Sequence, residues 1–173
     1  MKRIFALLML APLLWACGSV GSPSPSAPAL SAGELLAAPT SLALGGVKLR
    51  AEATPYLNAP ACDNETCVPS VNFVVPVRLS AAAGVLSGTQ SSTLSGLKVT
   101  GVYVITEGGV WRSGVASSDN RRCVGTLNCL QAVGRGNASI SSSDPVQVVL
   151  TFQDRAGKTY KLRDAKAVID SPR

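Results

Sequence analysis

The chain has 173 residues, 46% hydrophobic but only 5% aromatic, and its 16 Lys and Arg against 10 Asp and Glu give a formal charge of +6 without any histidine. That length suits one domain, and the lack of histidine excludes, for these residues, histidine metal ligands and histidine general bases. The basic residues are scattered, with Arg121-Arg122 the one adjacent pair after Lys2-Arg3, whereas nucleic-acid binding needs a basic stripe with stacking aromatics, so no nucleic-acid partner is expected.

Lys2 and Arg3 precede an apolar stretch from Ile4 to Trp15. A transmembrane helix needs about 20 apolar residues, so this shorter stretch reads as a targeting segment. Residues 1–16 are expected to be an export signal that stands outside the fold. Where the stretch stops, Leu14-Trp15-Ala16-Cys17 resembles the lipobox of bacterial lipoproteins, in which a small residue precedes an obligatory cysteine. The resemblance covers residues 1–17. It implies cleavage after Ala16, a diacylglyceryl thioether on Cys17 and acylation (palmitate) of the new amino terminus. Several acyl chains, at about 0.8 kcal/mol per buried methylene, would hold the protein on a membrane of the bacterial envelope. Gly18, a non-acidic residue after the cysteine, points to the outer membrane where the cell has one. Loss of residues 1–16 removes both methionines, which excludes methionine-rich copper sites, and leaves 14 basic against 10 acidic residues.

Gly18 to Gly33 is mostly small residues and proline and cannot bury a core. Residues 17–46 are expected to form the lipidated cysteine and a tether, whose first part would span about 20 Å as a flexible coil or about 50 Å if polyproline-like. Leu35, Leu36, Leu42 and Leu44 fit either a short helix and an edge strand or irregular chain.

From Val47 the apolar period becomes two. Val47, Leu49, Ala51 and Ala53 alternate with Lys48, Arg50, Glu52 and Thr54, as in a strand with one wet face. Val71, Phe73, Val75, Val77 and Leu79 repeat the pattern, and Pro76 within them predicts an edge position or a bulge. Leu97 to Thr106 is β-rich, with Gly101 marking a bulge where the inward face changes. Glu107-Gly108-Gly109 then predicts a hairpin turn into Val110-Trp111-Arg112. Val146, Val148, Leu150 and Phe152 lead to a second hairpin at Asp154–Lys158, with Gly157 left-handed, then Tyr160 and Leu162, and a last short strand over 165–169. About seven strands over residues 47–173 predict a single all-β domain, an antiparallel β-sandwich that resembles the immunoglobulin-like architecture in pattern. The distant cysteine pair flanking a tryptophan that marks true immunoglobulin domains is missing.

Four cysteines follow Cys17, namely Cys62, Cys67, Cys123 and Cys129. An even number in an exported chain reads as disulfides. Local pairing is favoured, because closing the loop from Cys62 to Cys129 would cost the unfolded chain roughly 2 kcal/mol more. A four-cysteine zinc site is the alternative, but its usual spacing of two to four residues is exceeded by the second pair. Asp63, Asn64 and Glu65 offer too few oxygens for calcium. No metal or cofactor is expected.

One set of motifs touches on catalysis. Ser95-Gly96-Leu97-Lys98, Ser118-Asp119-Asn120 and Lys158-Thr159-Tyr160 approximate, in order, the three signatures of penicillin-recognising enzymes. The context is wrong: Ser95 leads into a strand rather than opening a helix, alternation sends Lys98 away from Leu97 and Val99, and the third motif lacks its glycine. Arg121, Arg122 and Arg135 could meet an anionic partner, though solvated surface charge is the simpler expectation. Trp111 and Tyr103 are the candidate ligand contacts. A two-residue turn at Gly108-Gly109 places Trp111 opposite Thr106, a three-residue turn opposite Ile105, and that register decides its face; burial is the commoner fate of tryptophan.

The expectation is a non-enzymatic, lipid-anchored binding or assembly module of the cell envelope, with an envelope protein or a cell-wall polymer as partner. The alternatives are a small hydrolase using a Ser/Lys or acidic pair, and a structural spacer or surface component.

Overall fold

The period-two stretches form strands. The computed structural model describes residues 26–58, 72–81, 93–123, 129–138, 140 and 145–170. A short helix, α1 (Ala32–Leu36), precedes β1 (Leu42–Leu44), β2 (Val47–Ala53), β3 (Tyr56–Asn58), β4 (Asn72–Ala81), β5 (Lys98–Thr106), β6 (Gly109–Gly114), β7 (Arg121–Arg122), β8 (Cys129–Asn137), β9 (Pro145–Gln153) and β10 (Thr159–Val168). The strands make two antiparallel sheets. The larger runs β1-β2-β4-β8-β7, with β3 also on β4, and the smaller runs β10-β9-β5-β6.

This is the all-β sandwich that the alternation predicts, and the strand order sharpens it. Taking β2, β4, β5, β6, β7, β8, β9 and β10 as A, B, C, C′, D, E, F and G reproduces the immunoglobulin order, A-B-E-D facing G-F-C-C′. Where about seven strands are expected, eight follow that order and the short β1 and β3 are additions. The core lies between the sheets and takes Leu49, Phe73, Val75 and Leu79 from one and Val99, Val102, Val148, Leu150, Phe152 and Leu162 from the other. Among the described residues no cysteine pair spans it; aliphatic packing takes that place.

Side chains close both seams between the sheets. Along one, the Arg135 N–H donates to Ser113 Oγ at 3.0 Å, and Trp111 Nε1 donates to the Asn137 carbonyl at 3.1 Å. Along the other, the Ala53 N–H at the end of β2 donates to Asp164 Oδ2 of β10 at 2.9 Å. Each bond satisfies a main-chain group that no neighbouring strand reaches.

Pro76 is neither at an edge nor in a bulge. It lies in the central strand β4, opposite Val133 of β8. Its other neighbour changes there, because β2 ends at Ala53 opposite Val77 and β3 begins at Tyr56 opposite Val74. Thr54 N–H still donates to the Pro76 carbonyl at 3.0 Å. Only the reciprocal donor is missing, at a break in the ladder, where a proline costs least.

The bulge expected near Gly101 is present: Val99 pairs with Phe152 and Gly101 with Thr151, which leaves Thr100 extra. The inward face therefore changes from Val99 to Val102 and Val104, and Tyr103 points outward. The Asp154 turn closes as expected, with Gly157 at φ +80°. The separate strand over 165–169 is instead the end of β10, which continues past a bulge between Asp164 and Ala167.

The boundary at residue 46 moves. Ala27, Leu35 and Ala38 are buried against Tyr103 and Val149 on the outer face of the smaller sheet, so the domain begins well before Val47. The Ser31 hydroxyl and the Glu34 carboxylate form a capping box that starts α1. The chain then reaches β10, where the Arg163 N–H donates to the Pro39 carbonyl at 2.9 Å. A run of small residues can be a tether or a thin strap that fits flat on a sheet; burial of one leucine, Leu35, decides between them. Residues 1–25, including Cys17, and Cys62, Cys67 and the Asp63–Glu65 cluster lie outside the described residues.

Candidate functional site

Tyr103 is not a ligand contact. It is fully buried beneath the strap, and its hydroxyl donates to the Pro28 carbonyl at 3.0 Å. Burial pushes its phenol pKa up. Gly101 makes the fit possible: a Cβ there would lie 2.8 Å from Thr151 Oγ1 and 3.2 Å from Ala27 Cβ.

Trp111 is half-buried and belongs to the core. The β5–β6 turn is Glu107-Gly108, closed by the Thr106–Gly109 pair, so Trp111 faces Val104 rather than Thr106 or Ile105. Its ring meets Phe73 edge-on at 4.8 Å between centroids. It also passes over Gly136, where a Cβ would lie 3.3 Å from the indole. With Nε1 bonded to Asn137, the ring is held on three sides, and the shallow hollow of about 290 Å³ beside it is lined mainly by small and aliphatic residues. Of the two aromatics that the sequence nominated, Tyr103 is wholly enclosed, and Trp111 packs on the core while its ring borders this hollow.

The register sets Lys98 opposite Gln153 and Gln153 opposite Thr159, so the three penicillin-enzyme motifs lie on adjacent segments. The Asn120 carboxamide accepts from Val99 N–H at 2.7 Å and donates to the Val99 and Ala116 carbonyls at 3.0 and 3.2 Å. It ties the chain after β6 to the start of β5. Lys98 is exposed between buried Leu97 and Val99, as alternation predicts. The Lys158 ammonium sits 5.3 Å from the centre of the Tyr160 ring, and Ser95 Oγ accepts from Arg155 Nη2 at 3.4 Å. Asp154 organises its own turn. Its carboxylate accepts from Tyr160 Oη, Ala156 N–H and Lys158 N–H, and these bonds, the phenol's foremost, hold its pKa below the usual value.

Cys123 and Cys129 are disulfide-bonded with their Cα atoms 5.6 Å apart, the local pairing expected for the second pair. The bridge joins the end of β7 to the start of β8. Among the described residues no group of three or more His, Cys, Asp or Glu side chains gathers as a metal site would require.

The two outer faces differ. That of the smaller sheet carries the strap, while that of the larger sheet, among the described residues, is open apart from the buried Val74. Alternation brings Lys48, Arg50 and Glu52 of β2, Arg78 of β4, and Gln131 and Arg135 of β8 to this open face, all exposed. The register aligns Glu52, Arg78, Gln131 and Arg121 in one row across four strands. The sequence showed Lys48, Arg50 and Glu52 as a wet strand face and Arg121 near Arg135. Their alignment with Arg78 follows from pairings between residues far apart in the chain.

No family model matches this chain, and neither does any curated protein or solved structure.

Proposed function

We propose that this protein is a lipid-anchored, non-enzymatic binding module of the bacterial envelope, and that the open face of the larger sheet is its working surface. The anchor rests on the charged n-region, the apolar stretch and Leu14-Trp15-Ala16-Cys17. The Cys123–Cys129 bridge supports an oxidising compartment on independent grounds. The observation that carries the binding role is the asymmetry of the sandwich: one outer face carries the strap, and the other, among the described residues, is left mainly solvated with most of its charges of one sign.

With the domain starting at Ala27, nine residues separate it from Cys17. They reach about 17 Å as a coil and about 28 Å as polyproline II, which keeps the domain close to the lipid surface. The strap holds the attachment point on the smaller sheet, so the open face turns away from it.

Metabolic labelling with an acyl-chain analogue, followed by fractionation and a salt wash, tests the anchor. Native protein is expected to carry label and stay with membranes, while Cys17→Ser loses both. Label or salt-resistant attachment persisting in Cys17→Ser overturns the reading.

A further inference from the structure

The charged row on the larger sheet does not stop at β2. Arg50 lies one row from Glu52 on the same face, diagonal to Arg78, at a separation of roughly 7 Å by sheet geometry. Beyond it, where β2 meets β10, Arg50, Glu52, Arg163 and Lys166 line a depression of about 380 Å³ with the hydroxyl residues Thr40 and Ser41. Glu52 also borders a second depression, of about 330 Å³, with Arg78 and Gln131. The two hollows adjoin through Glu52 and make one trough from the β2–β10 seam onto β4 and β8, with Arg121 of β7 closing the Glu52, Arg78 and Gln131 row, three strand spacings or roughly 14 Å from β2.

Four cations, Arg50, Arg78, Arg121 and Lys166, meet two carboxylates, Glu52 and Asp164, along this line. Both Asp164 oxygens already accept main-chain N–H groups, from Ala53 and Lys166. Arg163 borders the first hollow, but Leu162 beside it faces the core and Val149 opposite it lies under the strap, so its guanidinium turns to the outer face of the smaller sheet and donates to Gln147 Oε1 at 2.7 Å.

We propose that this trough binds an anionic glycopolymer of the envelope, one carrying phosphate or carboxylate groups among sugar hydroxyls. The proposal rests on the extracytoplasmic reading above. Arginines match such oxyanions by paired N–H donors, and Glu52, Gln131, Thr54 and Ser41 supply partners for hydroxyls. The lining of the two hollows holds no aromatic residue, so neither base stacking nor a neutral sugar platform is built here. A membrane surface fits less well. The large exposed apolar side chains among the described residues, Leu36 and Val168, line neither hollow, and the strap attaches on the opposite sheet.

The full chain with Cys17→Ser, exported so that its disulfides form, is titrated with polygalacturonate, poly(glycerol phosphate), neutral dextran, and phosphatidylcholine vesicles containing phosphatidylglycerol. Saturable binding to at least one of the two polyanions is expected, and the preferred one tells carboxylate from phosphate. Arg50→Ala with Arg78→Ala should weaken it about tenfold, whereas Lys98→Ala with Arg112→Ala, which removes equal charge from the smaller sheet, should change it less than about twofold. All four side chains are exposed, so folding is retained. Equal losses from the two pairs, binding to vesicles alone, or no polyanion binding overturns the proposal. Because the chain is unacylated, none of these outcomes bears on the anchor.

Discussion

Ser113 Oγ accepts the Arg135 backbone N–H at 3.0 Å, a side chain of one sheet taking the part of a missing strand for the other. Ser113 is buried, and its hydroxyl also lies 3.0 Å from the Arg135 and Gly114 carbonyls. Gly134 beside it permits the approach, since a Cβ there would lie 3.0 Å from Val102 Cβ. Ser113→Ala removes the acceptor and leaves the Arg135 N–H without one. A loss of about 1–3 kcal/mol is expected, read as a lower urea midpoint at unchanged m-value. A change under about 0.5 kcal/mol would mean that water replaces the hydroxyl.

Leu35 tests where the domain starts. It is fully buried with Tyr103 and Val149, although it lies in a stretch that reads as tether. Leu35→Ala is expected to cost about 2–5 kcal/mol, as for core leucines, whereas a tether residue would cost under about 0.5 kcal/mol. Thermal unfolding of the two proteins separates these outcomes.

Gly101 tests how the strap is held. Its missing side chain makes room for Thr151, Ala27 and Tyr103 together. Gly101→Ala is therefore expected to dislodge residues 27–30 while leaving the sheets intact. Limited proteolysis should cut the variant near the strap at an enzyme level that spares the native protein, and unchanged protection would show that Ala27 yields without release.

Asp154 sets an acid limb. The Tyr160 hydroxyl, with the main-chain N–H groups of Lys158 and Ala156, holds its pKa below the ordinary 3.8. A carboxylate with a lowered folded pKa contributes stability that is fully present above the unfolded value and lost as pH falls through the folded one. Asp154→Asn is thus expected to lower the melting temperature at neutral pH, with the gap to native protein narrowing below about pH 4. A gap that stays constant through the acid range would refute this.

Much of the sandwich is legible along the chain because strand alternation is local. The β5–β6 and β9–β10 hairpins, the Gly101 bulge and the left-handed Gly157 all follow from residues close in sequence. The β5–β6 register is not fixed locally: the sequence offers a two-residue turn at Gly108-Gly109 or a three-residue turn, whereas the chain turns at Glu107-Gly108, with Trp111 packed across the sheets on Phe73. Pro76 looked like an edge signal because the sequence could not show that β2 hands over to β3 opposite it. Tyr103 looked like a ligand contact for a related reason, that its covering layer comes from residues 27–38. A hint was present in Val148-Val149-Leu150, three apolar residues in succession, as expected of a strand covered on both faces.

The proposed lipidation site, Cys17, is read from a contiguous motif, and no folding is needed to read it. By itself the sequence also determined the β class, the main hairpins and the local pairing of Cys123 with Cys129, since each depends on neighbours a few residues apart. Only the tertiary structure decided that the small-residue stretch is partly a strap, that Tyr103 is enclosed beneath it, and that Arg50, Arg78 and Arg121 share one face. Those outcomes depend on which strands pair, and pairing between distant segments is chosen by burial of the whole core rather than by local pattern.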